Sequence, residues 1–358
     1  MATPDEPISR FKKSMQDVYG PIDDLTAEKA KTWDPPSSPG AGGHRGRYLW
    51  TDAFGVVNLI TLYKETSDPS CLELAKSLVR TVHDVLGRTR DGTARLPGAT
   101  DSAPLKGGLR IGKLDEGGRD GDGQYHHYLT LWMFALNRLS VAAGDRGYND
   151  LAVQLAAAIH PHFVHRSSSG RLSLVWKISM DMRLALVPSE GHLDGATGYV
   201  IYGLLQRTAA HFDSSSPRVL EAELKDYSEI MGREGGRGLT ASTDSLDLGM
   251  GLWMCHLARG EPWADRLGAE SMYMALKALG RDRGPPSRRL AFREFGLCLG
   301  ARCYGAEGLV AQGVDELVRF WEEYEDELDG DLRPISLVMY AAAIMPGAFR
   351  KEYLPLTK

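Results

Sequence analysis

The sequence predicts an all-α fold: a closed ring of six helical hairpins, with six buried helices inside and six amphipathic helices around them. Three observations predict it. Six stretches are apolar nearly all round and rich in Gly, Ala and aromatic residues. They alternate with stretches that carry one charged face at helical spacing. Strand signal is scarce.

In chain order, 8–19 supplies an outer helix, and 20–47 is an irregular N-terminal linker over the barrel. Residues 48–63 form the first inner helix and 70–86 its amphipathic partner. The next pairs are 124–141 with 148–160, and 195–206 with 218–231. They are followed by 246–257 with 263–279, and 290–304 with 307–328. The last outer helix places Leu309, Val310, Val314, Leu317, Val318, Trp321 and Tyr324 on one stripe, with Asp315, Glu316, Arg319, Glu322, Glu323 and Glu325 at the intervening positions. Residues 334–345 complete the inner set. Residues 172–178 alternate weakly and read as a short hairpin within a loop. Together, 1–358 read as one domain.

The connections are unequal. Inner-to-outer loops are short, at 64–69 and 143–147. Outer-to-inner loops are long, at 87–123, 161–194 and 232–244, and all of these open onto one mouth of the ring. Long loops in a compact domain are usually functional, so the site is expected there.

Composition bounds the function. The chain has 358 residues, 43% hydrophobic and 25% charged, as in a soluble globular protein. No apolar run reaches the roughly 20 residues that span a bilayer. A formal net charge of −5 disfavours a nucleic-acid binder. Cys71, Cys255, Cys298 and Cys303 show no zinc or redox spacing, the first twenty residues lack a secretory h-region, and no N-x-S/T sequon occurs. A cytoplasmic protein with a small-molecule substrate, no nucleic-acid partner and no membrane partner is the expectation.

Acidic residues recur where inner helices begin on the long-loop side: Asp52, Asp120 and Asp122, Asp194, Asp244 and Asp247, with Glu294 inside the fifth inner helix. Two carboxylates across a sugar-sized cavity can serve as acid and base. A lone Asp at a helix start is equally explained as a cap, above all Asp244. Asp122 and Asp194 each precede Gly, which leaves room for a ligand, and are expected as the catalytic pair, with His126 tuning or relaying the proton. Asp52 is the reserve.

Gln124, Tyr125, His126, His127 and Tyr128 form a polar cluster on an otherwise apolar helix, which needs either a wet cavity or an interhelical network. Trp176, Lys177, Arg183 and His192 read as a polar lip where an aromatic stacks on a sugar ring. Trp50, Tyr199 and Asp247 join the expected binding residues. Arg110 and Lys113, with His44, Arg45 and Arg47, would favour an anionic substrate. His160, His162 and His165 follow an outer helix, where His suits the dipole, so no metal is expected. The glycine runs 40–46 and 232–238 lack a phosphate-loop context, and no cofactor is expected.

Trp50-Thr51-Asp52-Ala53-Phe54, followed by Leu59, Leu62, Tyr63, Thr66 and Asp68, opens an inner helix with aromatic-x-Asp and ends it in a Tyr-x-x-Thr turn. With the hairpin layout, this resembles the six-hairpin glycosidase-like superfamily of (α/α)6 barrels, and locally its unsaturated uronyl hydrolases. The His-Pro-Gly-His-type helix of sugar 2-epimerases is not found. The resemblance implies an enzyme acting on a carbohydrate-like, acidic small molecule by general acid/base catalysis, most concretely by hydrolysis of a glycosidic or enol-ether bond. A non-hydrolytic isomerase, lyase or cyclase of specialised metabolism is the alternative, and a non-catalytic ligand-binding protein the third.

Overall fold

The computed structural model describes residues 6–118, 120–215, 218–232, 238–281 and 284–356. Six inner helices stand in a ring: α3 (Leu49–Thr66), α5 (His126–Ala143), α7 (Asp194–Phe212), α9 (Ser245–Leu257), α11 (Ala291–Tyr304) and α13 (Arg333–Ile344). Around them lie α4 (Pro69–Leu86), α6 (Arg146–Phe163), α8 (Glu221–Gly232), α10 (Pro262–Leu279) and α12 (Gly308–Glu323). α1 (Glu6–Tyr19) is the sixth outer helix. It packs on α13, where Ser14 Oγ donates to the carbonyl of Leu337 at 3.0 Å. Asn58 on α3 donates to the carbonyl of Val338 on α13 at 2.9 Å, joining the first inner helix to the last. This is the (α/α)6 barrel read from the sequence.

Capping explains the hairpin geometry. The side chains of Asp68, Asp145 and Asp244 accept backbone N–H groups at the starts of α4, α6 and α9. Ser67, Gly144 and Gly305 take the left-handed conformation just after α3, α5 and α11, so each chain turns at once into its outer helix. α9 and α11 approach so closely that glycine is obligatory. A Cβ on Gly249 would lie 2.0 Å from the carbonyl oxygen of Gly296, and one on Gly300 would lie 1.8 Å from that of Gly249.

Several boundaries differ from the sequence reading: 124–125 is strand rather than helix, α7 runs on from 206 to Phe212, and two further differences have a local cause. α12 ends at Glu323, and Glu325–Glu327 form a separate 3-10 turn. Clustered carboxylates repel one another and oppose the negative C-terminal end of a helix dipole. The linker 20–47 is not wholly irregular: it holds α2 (Ala27–Lys31), capped by the hydroxyl of Thr26.

The long loops are tied to the mouth by short strands. β1 (Gln124–Tyr125) pairs antiparallel with β4 (Lys177–Ile178), and β2 (Val164–Arg166) with β3 (Leu172–Leu174). The weak alternation at 172–178 is therefore two strands with separate partners. Leu96, Leu105, Leu109 and Ile111 bury the 87–123 loop against the barrel. Most of the 232–238 glycine run lies outside the described residues.

Candidate active site

A cavity of about 700 Å³ opens at the N-terminal mouth of the barrel. All six inner helices contribute to it. α3 gives Trp50, α5 gives His127 and Tyr128, α7 gives Asp194 and Thr197, α9 gives Asp247 and Met250, α11 gives Phe292 and Arg293, and α13 gives Ile335. The loops add Lys113, Asp115, Asp120, Trp176, Glu190, His192 and Asp331. The volume suits a ligand of one or a few sugar rings.

His127 sits at the centre of an aromatic group. The rings of Trp50, Tyr125, Tyr128 and Trp176 lie 5.0–6.2 Å from its own. Tyr128 is fixed in turn by a hydrogen bond between its hydroxyl and that of Tyr48. Burial holds the His127 imidazole below its usual pKa, against the opposing pull of Asp194 and Asp247. It is therefore a neutral ring at neutral pH, open to the cavity.

Asp194 begins α7 and is 3% exposed. Burial opposes its charge, but His126 and then His127 outweigh that and hold the carboxyl below the ordinary range. Nδ1 of His126 lies 3.3 Å from Oδ1 of Asp194, and Nδ1 of His127 lies 3.8 Å from the same oxygen. Oδ2 of Asp194 is buried and has no hydrogen-bond partner among the described residues. It leans over Gly191, where a Cβ would lie 2.3 Å away, so glycine there leaves the carboxylate its place. Asp247, in the first turn of α9, is shifted the other way. Burial, then the charge of Asp244, raise its pKa.

Behind the cavity wall, Tyr227 of α8 sits 2.7 Å from Nε2 of His126. Its ring lies against α7 where a Cβ on Gly198 would come within 2.3 Å of it. With the tyrosine hydroxyl donating to Nε2, the imidazole carries its proton on Nδ1, facing Asp194.

Asp194, His127, His192, Trp50, Trp176, Lys113 and Asp247, all expected from the sequence, are brought together here. Asp120 and Tyr128 line it as well, and the remaining expected residues do not. Asp122 accepts from Arg90 at 2.7 Å, from Arg110 at 3.1 Å, and from the backbone N–H groups of Gly112 and Gly123, so both oxygens are occupied in pinning the 87–123 loop. Arg110 is spent on that carboxylate and on the carbonyls of Arg88 and Val85. Asp52 faces away from the cavity, where it meets Arg47 at 3.0 Å and the hydroxyl of Tyr19 at 3.2 Å. Thr51 lines the cavity, and the next residue of a helix is turned about 100° from it. The same rotation sends His127 inward and His126 into the wall.

Gln124 bonds the backbone of Leu109, Gly107 and Met180, and Tyr125 donates to the carbonyl of Gly121. Lys177 lies over the Tyr125 ring and donates to the carbonyl of Gly118. Arg183 is exposed beside Asp181, and Tyr199 lies on α7 outside the cavity lining. Glu294 is held by Arg289 and by the indole N–H of Trp321, a structural role. Asp244 caps α9 and pairs with Arg293 at 2.7 Å. His160 packs on Tyr227 and meets Asp226 at 3.2 Å. Sequence reasoning missed Arg293, Asp115, Glu190 and Asp331, whose signal, a charge at a loop or helix start, is shared with many surface residues.

Among the described residues no cluster of three His, Cys, Asp or Glu side chains is placed to hold a metal ion, and no helix is long and apolar enough to cross a membrane.

No protein-family model matches the chain, and no curated protein sequence does. Solved structures do resemble it. A sugar epimerase from a ruminal bacterium superposes with a TM-score of 0.55 at 10% identity, over 93% of this chain and 98% of that one. The cellobiose 2-epimerase of Spirochaeta thermophila gives 0.50 at 15% identity, over 90% and 87%. An inactive variant of the GH76A α-1,6-mannanase from a Salegentibacter species, with two consecutive aspartates replaced by asparagine and α-1,6-mannotriose bound, gives 0.54 at 11% identity, over 95% and 98%. At such identities the likeness is one of fold: the chain shares the (α/α)6 barrel architecture of these structures.

Proposed function

We propose that this protein is an enzyme that transfers a proton on a carbohydrate bound in the mouth cavity, with His127 as the acid/base and Asp194 as the anion that orients it. One observation carries the reading: an imidazole kept neutral by burial faces the cavity with Asp194, whose pKa is lowered, and Asp247, whose pKa is raised. For an open-chain sugar, His127 removes the proton on the carbon next to the carbonyl. The bonding pair passes into an enediolate, and the proton returns to carbon to give an epimer or an isomer. Arg293 is the cation that α11 presents to the developing oxyanion. Epimerases of the same fold support the substrate class.

Glycoside hydrolysis is the second reading. Asp194 and Asp247 line one cavity with pKa values displaced in opposite directions, as an acid and a base require. Against it, the mannanase of this fold is inactive without its consecutive aspartates. The single Asp-Asp pair of this chain, Asp23-Asp24, is not at the cavity; the adjacent pair at an inner-helix start is His126-His127.

Incubation with cellobiose and related neutral sugars in D2O tests the choice. Deuterium at the carbon beside the carbonyl, lost in His127→Gln, is the expected result. New reducing ends without exchange select hydrolysis, and neither product from a broad sugar panel rejects both.

A further inference from the structure

The cavity is charged in a way that the proposed chemistry alone does not require. Among its described lining residues, Asp115, Asp120, Glu190, Asp194, Asp247 and Asp331 bring six carboxylates, against the two cations Lys113 and Arg293. One of those cations is partly neutralised from outside the cavity, because Arg293 is paired with Asp244 at 2.7 Å. Of the basic residues expected to suit an anionic substrate, Lys113 lines the cavity, whereas Arg110 is tied to Asp122.

A second observation is independent of that excess. Oδ2 of Asp194, on a side chain 4% exposed, has no hydrogen-bond partner among the described residues, although Asp194 lines the cavity. A buried carboxylate oxygen without a donor is costly and calls for one from a ligand. A third is aromatic. Trp50, Tyr128 and Trp176 line the same cavity around His127, and electron-rich ring faces attract cations as well as sugar rings.

We infer that the cavity selects a sugar carrying a protonated amine, whose ammonium group donates to Oδ2 of Asp194 while the aromatic residues take the apolar ring face. The ammonium supplies three donors and a positive charge, which answers both the unpartnered oxygen and the carboxylate excess. Hydroxyl groups supply donors without charge, and a uronate adds repulsion. The inference rests on the carbohydrate reading above and narrows it.

The test is calorimetric titration of the full chain with four probes at low salt: the disaccharide of β-1,4-linked glucosamine, cellobiose, cellobiouronic acid and spermidine. The amino disaccharide is expected to bind tighter than cellobiose by on the order of tenfold, the scale of one added ion pair in a partly desolvated site. The uronate should bind weakest. High salt should shrink the advantage. Asp194→Asn should abolish it, and Asp247→Asn, which removes a second carboxylate from the lining, should reduce it. Thermal melts check that both variants are folded.

Equal binding of cellobiose and the amino disaccharide, or preference for the uronate, overturns the inference and leaves the carbohydrate reading standing. Spermidine binding as tightly as the amino sugar, or no binding by either disaccharide, overturns both. Retention of the full amine advantage in folded Asp194→Asn and Asp247→Asn also overturns the inference.

Discussion

Nδ1 of His126 lies 3.3 Å from Oδ1 of Asp194, across the seam between α5 and α7. The other ring nitrogen meets the hydroxyl of Tyr227 at 2.7 Å, so an outer helix governs the face that the imidazole turns to an inner-helix carboxylate. His126 is fully buried and absent from the cavity lining, which makes it a positioning residue.

Tyr227→Phe tests that arrangement. It leaves Nε2 of a buried histidine without a donor, and stability should fall by about 1–2 kcal/mol. The more specific readout is the 15N spectrum of histidine-labelled protein. His126 should lose its preference for the Nδ1–H form, and turnover should fall with KM little changed. An unaltered tautomer would show that Tyr227 only fills space.

His127→Gln should lower the rate about 10²–10⁴-fold while the protein stays folded. The pH profile carries a sign. A base works in its neutral form, above its pKa, and burial lowers that pKa below the ordinary histidine value. Activity should therefore persist into mildly acidic solution, with its acid limb below about 6.5. Asp194→Asn removes the charge that raises the His127 pKa, so the limb should move to still lower pH while the maximal rate falls. A limb at or above the ordinary histidine value would contradict the assignment.

Asp122→Asn should act on stability rather than chemistry. Its carboxylate neutralises the buried Arg110 and the largely buried Arg90. Breaking such a cluster costs about 3–5 kcal/mol. Chemical denaturation should show that loss, while the folded fraction turns over substrate at a near-normal rate. A stable but inactive variant would restore Asp122 to the chemistry.

Asp52 predicts a pH dependence of stability. Burial, only partly offset by Arg47 and Tyr19, raises its pKa from 3.8 to about 6 in the folded chain. Between those values the native state holds more protons than the unfolded state, so stability falls as pH rises from about 4 to about 6. The contribution is of order 2–3 kcal/mol. Asp52→Asn should flatten that window while lowering stability overall, because Arg47 loses its partner in the core. Unfolding free energies at several pH values across the window decide it.

The sequence by itself determined the ring. Apolar and amphipathic helices alternate because each inner helix is buried on all faces and each outer helix on one, and that is written in local periodicity. The unequal loops determined which mouth holds the cavity. The cap role of Asp244 was also legible, since a side chain accepting N–H groups two and three residues on is a local event. What only the tertiary structure decided was which polar residues face the cavity. Asp52 and Thr51, or His126 and His127, are neighbours in the chain, yet about 100° of rotation assigns one to the wall and one to the cavity. Near-uniform apolarity erases the stripe that would have marked the inward face. Asp122 was sorted by partners far along the chain, since Arg90 and Arg110 reach it only once the 87–123 loop has folded back on itself. Asp194 and Asp247 share a cavity for the same reason: two different helices begin at one mouth, and no sequence spacing encodes that meeting.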